Sequence, residues 1–260
     1  LTMPGRQARS TVATRIATAT LCCLVALPLL AAVQVETDTD AIETRIWELR
    51  AAARYEEATA AADSLVTVLE SGPDTQPCRL VEARILAETV RLAASLPESE
   101  QHGLARADSM AAFVESHKED HHECWEMAER QLEIRRRILG DRHPDVAASL
   151  EAIGRHTAWI DEADTAKRSL EKALEIALES YGREHPRTAL IISELGFAHK
   201  WAGEYARAES LYLEADAIRR PILGDRDPET LSWDSRLGWL KLDLGEYREA
   251  ERILRGAWVA

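Results

Sequence analysis

One short motif occurs three times in this chain at a constant spacing of 42 residues. The copies span 139–144, 181–186 and 223–228, and each has the form x-Gly-x-x-x-Pro. A period of this length is typical of solenoids, in which each repeat packs only against its neighbours. Because a solenoid has a long surface and no single closed core, the repeat predicts a protein that binds another molecule rather than one built around a catalytic pocket.

Each unit of the repeat is predicted to contain two helices. The glycine of the motif can end one helix, and the proline, which lacks an N–H group, suits the first turn of the next. First helices are predicted over 144–160, 186–202 and 228–244, and second helices over 163–178, 205–220 and 247 to the chain end.

The helical pattern continues upstream of the three repeats. A helix pair is predicted within 41–71, with further helices over 78–94, 104–117 and 121–139. The chain is therefore expected to contain about eleven helices, with their pairing before residue 103 left open. No run of residues alternates with a period of two, so an all-α fold is predicted.

Small residues recur at matching places in the two helices of each unit. They are expected to face each other, because two helix backbones can approach closely only where side chains are small. The glycines are Gly154, Gly196 and Gly238, and the alanines are Ala166, Ala208 and Ala250.

This pattern resembles the tetratricopeptide repeat, in particular the roughly 42-residue form found in kinesin light chains. The residues that carry the resemblance are the Leu195-Gly196 pair, the Gly203-Glu204-Tyr205 hairpin, Ala208, Ala215 and the Gly-Asp-x-His-Pro connector. The resemblance implies a right-handed α-solenoid of stacked antiparallel helix hairpins. Two places depart from it: residues 160–163 lack the hairpin glycine and tyrosine, and Asp227 replaces the connector histidine.

Residues 1–33 are typical of a leader. Arg6, Arg9 and Arg15 precede an uncharged, apolar run over 16–33, as in an export signal or an N-terminal membrane anchor. No clean cleavage site follows, so a cleaved export signal and a retained membrane anchor both remain open. A third interpretation, that the run is a buried core helix, is less favoured. We expect a periplasmic or extracellular protein, or one anchored to the membrane through residues 16–33. The remaining domains are predicted as degenerate helical repeats over 34–119 and tetratricopeptide-like repeats over 120–260.

The charge of the chain disfavours nucleic acid as a partner. The chain has 32 Lys and Arg against 45 Asp and Glu, and three of the arginines lie in the leader. Nucleic-acid binding needs clustered basic residues to neutralise phosphates. The acidity is consistent with a groove for basic peptides or, more simply, with a well-solvated helical surface.

No enzyme, cofactor or metal site is predicted. The chain has no glycine-rich phosphate loop, no His-Glu-x-x-His motif and no Gly-x-Ser-x-Gly motif. His117, His121 and Cys124 could ligate zinc, but they fall where the register places a polar turn, so a metal is disfavoured. Cys78 and Cys124 could form a disulfide in an exported protein or remain separate thiols.

The resemblance also implies which residues face a ligand, since first helices line the concave side of such arrays. The implied groove residues are Glu151, Arg155, Trp159, Ser193, Phe197, Lys200, Trp201, Ser235 and Trp239. Trp159 and Trp201 lie one period apart and are expected to be neighbours on the inner wall. They could anchor a protein or peptide ligand, or they could serve only to pack one repeat against the next.

Two functions are compatible with this pattern. The first is an exported or membrane-anchored scaffold that binds a protein or peptide in the groove. The alternative is the sensing half of a larger enzyme, because similar arrays precede caspase-like peptidase or kinase domains. The chain begins at Leu1 and stops within its last predicted helix, and this is consistent with the alternative. The sequence does not determine the oligomeric state.

Overall fold

The computed structural model describes residues 38–72 and 75–259. The predicted leader lies outside these residues. Within them the chain forms eleven helices and no strand. The helices are α1 (Thr39–Ala51), α2 (Tyr55–Ser71), α3 (Pro77–Ala94), α4 (Glu98–Ser116), α5 (His121–Leu139), α6 (Pro144–Trp159), α7 (Ala163–Ser180), α8 (Pro186–Trp201), α9 (Tyr205–Leu223), α10 (Pro228–Asp243) and α11 (Tyr247–Val259).

The predicted all-α solenoid is confirmed, and most helix bounds agree closely with the prediction. The clearest difference is α4, which begins at Glu98 rather than at residue 104. The carbonyl of Pro97 accepts hydrogen bonds from the backbone N–H groups of Glu100 and Gln101 at 2.9 and 3.1 Å. Acidic residues in the first turn favour this early start, because they interact well with the positive end of the helix dipole.

The repeats stack through one continuous apolar core. Each first helix packs against the second helix of its own unit, and α6 also packs against the next first helix, α8. The buried residues of this core run from Val114 on α4 to Trp233 on α10. A separate core joins α1, α2 and α3.

The connectors between repeats share one backbone geometry. Gly140, Gly182 and Gly224 end the preceding helices at φ values of 86°, 87° and 89°, a region that other residues rarely adopt. The residue before each proline then caps the following helix. His143 and His185 accept a hydrogen bond through Nδ1 from a backbone N–H two residues later, each at 3.1 Å.

The third connector keeps the cap although its histidine is replaced. Oδ1 of Asp227 accepts a hydrogen bond from the backbone N–H of Thr230 at 3.4 Å. The replacement therefore preserves the start of α10, because aspartate is a preferred N-cap residue.

Four of the hairpin turns are also alike, although only two of these contain glycine. Gly203 and Gly245 have φ values of 76° and 78°. Asp161, at the equivalent position of the unit that lacks the glycine, has a φ of 65°, and Ala53 between α1 and α2 has a φ of 55°. The departure noted at residues 160–163 thus leaves the turn intact, since a non-glycine residue takes the left-handed conformation there.

The structure also resolves the pairing of the helices before residue 103. Helix α1 contacts α4, as one first helix contacts the next, so α1–α2 and α4–α5 are the two upstream hairpins. Helix α3 packs mainly on α2 and makes few contacts with α4. It is an additional helix inserted between the first two hairpins.

The expected pairing of small residues is met only in part. A Cβ atom at Gly154 would lie 2.4 Å from Cγ of Leu170, and one at Gly196 would lie 3.0 Å from the Tyr212 ring. Each glycine therefore leaves space for a side chain of the second helix. That side chain belongs to the residue four positions after the matching alanine, one turn further along the same face of the helix. Only Gly196 also approaches its expected partner, with 3.3 Å to the carbonyl oxygen of Ala208.

We expect Gly154→Ala to destabilise the protein by about 2 kcal/mol, because the added methyl group would force Leu170 out of its packed position. The measurement is urea unfolding followed by far-UV circular dichroism. Gly256→Ala is the matched control, since no atom lies within 4 Å of a Cβ there and alanine favours a helix. A Gly154→Ala protein as stable as the wild type would contradict the assigned close approach.

Candidate functional site

The first helices line the inner side of the array. A cavity of about 530 Å³ lies there, within the size range of small-ligand or side-chain pockets. Its wall contains Trp47 from α1, Glu82 from α3, Glu115 from α4, Glu151 from α6 and Arg187 from α8. The inserted helix α3 therefore forms part of the inner surface.

The charges in this cavity are mixed. Glu151 is only 5 % exposed, and its carboxylate lies 3.9 Å from the guanidinium groups of both Arg155 and Arg187. Burial raises the pKa of Glu151, although the two arginines act in the opposite direction. Arg155 also forms a closer ion pair with Glu115, at 2.8 Å. The wall is thus neither uniformly acidic nor uniformly basic.

A buried ion network lies beside the cavity and joins four helices. Arg50 on α1 donates hydrogen bonds to both oxygens of Asp108 on α4, at 2.9 and 3.1 Å, and to Asp145 on α6 at 2.7 Å. Arg135 on α5 donates to Asp108 at 2.9 Å and to the hydroxyl of Ser149 at 3.0 Å. The network holds the first hairpin against the repeats that follow.

The network also determines the charge state of Asp145. Burial alone would raise the pKa of this carboxyl group, but Arg50 and Arg135 more than offset the effect and hold its pKa well below the usual value. Asp145 is therefore charged at neutral pH, and its paired form stabilises the fold above its ordinary pKa of 3.8. This contribution is lost progressively as the pH falls below that value.

Three aromatic residues form a surface that we call the aromatic patch: Trp159, Phe197 and Trp201. The ring centroids of Trp159 and Trp201 are 5.6 Å apart, and Phe197 lies 4.9 and 5.9 Å from them. Trp159 and Trp201 are nevertheless 49 % and 46 % exposed. The rings thus pack against each other while presenting about half of the surface of the two indoles to solvent.

A pair of histidines borders the aromatic patch on the side of α5. His121 stacks on Trp159 with a centroid distance of 5.4 Å and an angle of 6° between the ring planes. Its Nδ1 lies 3.1 Å from Nδ1 of His156, which is buried. Burial lowers the pKa of His156 to about 4, so this ring is neutral at physiological pH.

Charged side chains border the patch on the other side. Lys200 lies 5.4 Å from the centroid of the Trp201 ring and forms an ion pair with Asp243 at 2.7 Å. Arg236 lies 5.5 Å from the Phe197 centroid and is paired with Glu194 at 2.8 Å. The patch is therefore apolar at its centre and charged at its edge.

The predicted groove residues fall into four groups in the structure. Glu151 and Arg155 line the cavity, while Trp159, Phe197, Lys200 and Trp201 form the aromatic patch and its edge. Ser193 is fully buried and does not offer the surface that was expected, whereas Ser235 is partly exposed and donates its hydroxyl hydrogen to the carbonyl of Leu231. Trp239 is 56 % exposed on α10.

Sequence analysis missed the inner residues of α1 and α3. One signal was available: Tyr55 and Tyr205 both follow a tight hairpin turn, and aligning them places Trp47 at the position of Phe197. Nothing in the repeat indicated that α3 would reach the inner surface, because α3 has no counterpart in the other units.

The histidine and cysteine side chains near residue 120 do not converge. Nδ1 of His117 contacts the carbonyl of Phe113 at 3.1 Å, and the buried Cys124 thiol donates to the carbonyl of His117. In residues 38–72 and 75–259 no three His, Cys, Asp or Glu side chains are placed to hold a metal ion. Cys78 and Cys124 are both free thiols. None of the described helices is both long and apolar enough to cross a lipid bilayer.

The stacked hairpins and their exposed inner surface define an α-solenoid scaffold suited to protein–protein interaction. Residues 188–257 match the family model of the tetratricopeptide repeat. The predicted resemblance to the tetratricopeptide repeat is thereby confirmed for these residues.

Solved structures with a similar fold include kinesin light chain TPR-like repeats from Podosopora anserina, with 17% identity, a TM-score of 0.45, and 85% of this chain and 93% of that chain covered. Another is BtubC (BKLC) from P. vanneervenii, with 17% identity, a TM-score of 0.47, and 95% and 90% covered. No protein with a curated description matches the chain in sequence.

We expect Asp108→Asn to destabilise the protein by roughly 3 kcal/mol or more, because Arg50 and Arg135 would remain buried without their shared anion. Thermal and urea unfolding measure the loss. Glu70→Gln is the control, since its ion pair with Arg84 is exposed and contributes little. Equal stability of the two variants would show that the buried network does not hold the hairpins together.

Proposed function

We propose that this protein is an exported or membrane-anchored scaffold that binds a protein or peptide segment on the inner surface of its repeats. The observation that carries the proposal is the aromatic patch, in which two adjacent indole rings are half exposed. A helix-packing role alone would not require this exposure. Large aromatic side chains at the centre of an interface supply much of the binding energy there.

The surroundings of the patch favour a ligand with one bulky apolar side chain flanked by polar groups. Such a side chain would cover Trp159 and Trp201 and remove apolar surface from water. The charged groups of Lys200, Asp243 and Arg236 at the edge would then orient the ligand backbone and its neighbouring side chains. An exposed apolar centre with a charged rim is the usual arrangement of protein interaction surfaces.

We expect Trp201→Ala to weaken binding of a selected peptide by at least about tenfold, because truncation of an aromatic anchor commonly costs more than 1 kcal/mol. Peptides would first be selected from a displayed random library on the wild-type protein, and their dissociation constants measured by fluorescence anisotropy. Leu213→Ala is the matched control, because Leu213 is 51 % exposed but lies on the second helix α9.

Circular dichroism would establish that both variants keep their helices. The proposal fails if the selected peptides bind Trp201→Ala as tightly as the wild type, or if Leu213→Ala weakens binding equally. A loss of helicity in Trp201→Ala would instead assign the indole to packing between repeats.

The export part of the proposal rests on the sequence of residues 1–33 alone. We expect residues 1–40 to direct a fused alkaline phosphatase out of the bacterial cytoplasm, where the enzyme becomes active. Leu24→Arg with Leu27→Arg is the control, because two charges would interrupt the apolar run. If the wild-type fusion protein is synthesised but shows no phosphatase activity, export is contradicted.

A further inference from the structure

The inserted helix α3 touches two successive connectors of the repeat array. Nε2 of His185 lies 3.2 Å from the carbonyl oxygen of Cys78, at the start of α3. Nε2 of His143 lies 3.3 Å from the hydroxyl of Thr89, near the other end of α3. His143 and His185 are equivalent residues one repeat apart. A helix from outside the repeat pattern is thus bound at two equivalent points.

The cap bonds determine which nitrogen of each histidine carries the hydrogen. Nδ1 of His185 accepts from the backbone N–H of Arg187, and Nδ1 of His143 accepts from that of Asp145. In a neutral imidazole the hydrogen must then be on Nε2, which donates it to α3. The hydroxyl of Thr89 is free to accept, because it donates its own hydrogen to the carbonyl of Ile85 at 2.8 Å.

The capping residue of the third connector cannot donate a second hydrogen bond. Asp227 accepts a hydrogen bond at the start of α10, but a carboxylate has no hydrogen to donate to another helix. Histidine therefore stands at the two connectors that contact α3, and aspartate stands at the next one. Capping alone does not require histidine.

Helix α3 also covers part of the inner surface. One side of it packs on α2 through Ala83, Ala87 and Val90. Its other side, including Glu82 and Leu86, faces the cavity whose opposite wall is formed by α6 and α8. A ligand on the inner surface of α6 and α8 would have to share this space with α3.

We infer that α3 is a strap across the cavity, held over the inner side of α6 and α8 by the Nε2 atoms of His143 and His185. Separation of α3 from the two connectors would open the cavity and enlarge the inner surface. In the docked state the aromatic patch, which α3 does not cover, is the exposed part of that surface.

Protonation of the two histidines would remove the cap bonds and not the bonds to α3. An imidazolium carries hydrogens on both nitrogens, so Nδ1 could no longer accept the cap bond, while Nε2 would still donate to α3. Burial lowers the pKa of His185, and Arg187 acts in the same direction, against the favourable bond to Cys78. Tyr181 at the end of α7 and Glu82 on α3 also face this ring, and the Glu82 carboxylate at 3.9 Å partly favours the charged form.

The pKa of His143 is lowered as well. Burial lowers its pKa, as do Arg50 on α1 and Arg135 on α5, while Asp145 on α6 opposes them. For both rings the neutral form is the one stabilised by folding. Their contribution to the stability of the fold is therefore present above the ordinary histidine pKa of 6.5 and decreases as the pH falls below it.

The test is the double variant His143→Asn with His185→Asn, which keeps a good capping side chain and removes the contacts to α3. Hydrogen exchange of the full chain would be measured at pH 7.5, with rates corrected for intrinsic exchange. We expect α3 amides of the double variant to exchange about fivefold faster than those of the wild type at pH 7.5. Amides of α9 report on global stability, and Asp227→His is a control that should leave α3 unchanged.

A second measurement reports on access to the cavity. Ala148 lines the cavity, so the maleimide labelling rate of Ala148→Cys, quantified by peptide mass spectrometry, should rise about fivefold when the two histidines are replaced. The buried Cys124 should stay unlabelled in both proteins, which excludes global unfolding.

Two outcomes would overturn the inference. Equal α3 protection in the two proteins would show that the histidines do not hold α3, and equal Ala148→Cys labelling would show that α3 does not restrict access to the cavity. No partner is needed for these measurements, so their result is independent of the proposed binding function.

Discussion

The stack of repeats depends on the geometry of its connectors. Each connector must end one helix, reverse the chain and start the next helix in the same orientation, and it does so with a glycine at positive φ followed by a capping side chain and a proline. Since Gly140, Gly182 and Gly224 share this geometry, equivalent side chains recur at equivalent places. The adjacency of Trp159 and Trp201 is a direct consequence of this recurrence.

Two kinds of interaction join the hairpins. Between α4 and α10 the repeats share a continuous apolar core, which is non-directional and tolerates small changes of side chain. The first hairpin belongs to a different core and is tied to the repeats by the buried network around Arg50 and Asp108. Such a network needs every partner in place, because an unpaired buried charge is far more costly than a missing methyl group.

The inner surface has two distinct parts. Its α6–α8 part is lined by charged groups and lies across the cavity from α3, whereas the aromatic patch remains open to solvent. The connector histidines link this division to the repeat itself, since the same side chain caps a helix with one nitrogen and binds α3 with the other.

The sequence by itself determined the helices, their hairpin pairing after residue 103 and the neighbouring positions of Trp159 and Trp201. These features follow from local signals, namely helix stops, proline starts and a constant period, that need no knowledge of distant contacts. Only the tertiary structure decided that Leu170 rather than Ala166 fills the space at Gly154, that Ser193 is buried and that Arg50 meets Asp145. It alone also placed α3 against His143 and His185, because these contacts join residues far apart in the chain, and no periodic pattern records which distant surfaces meet.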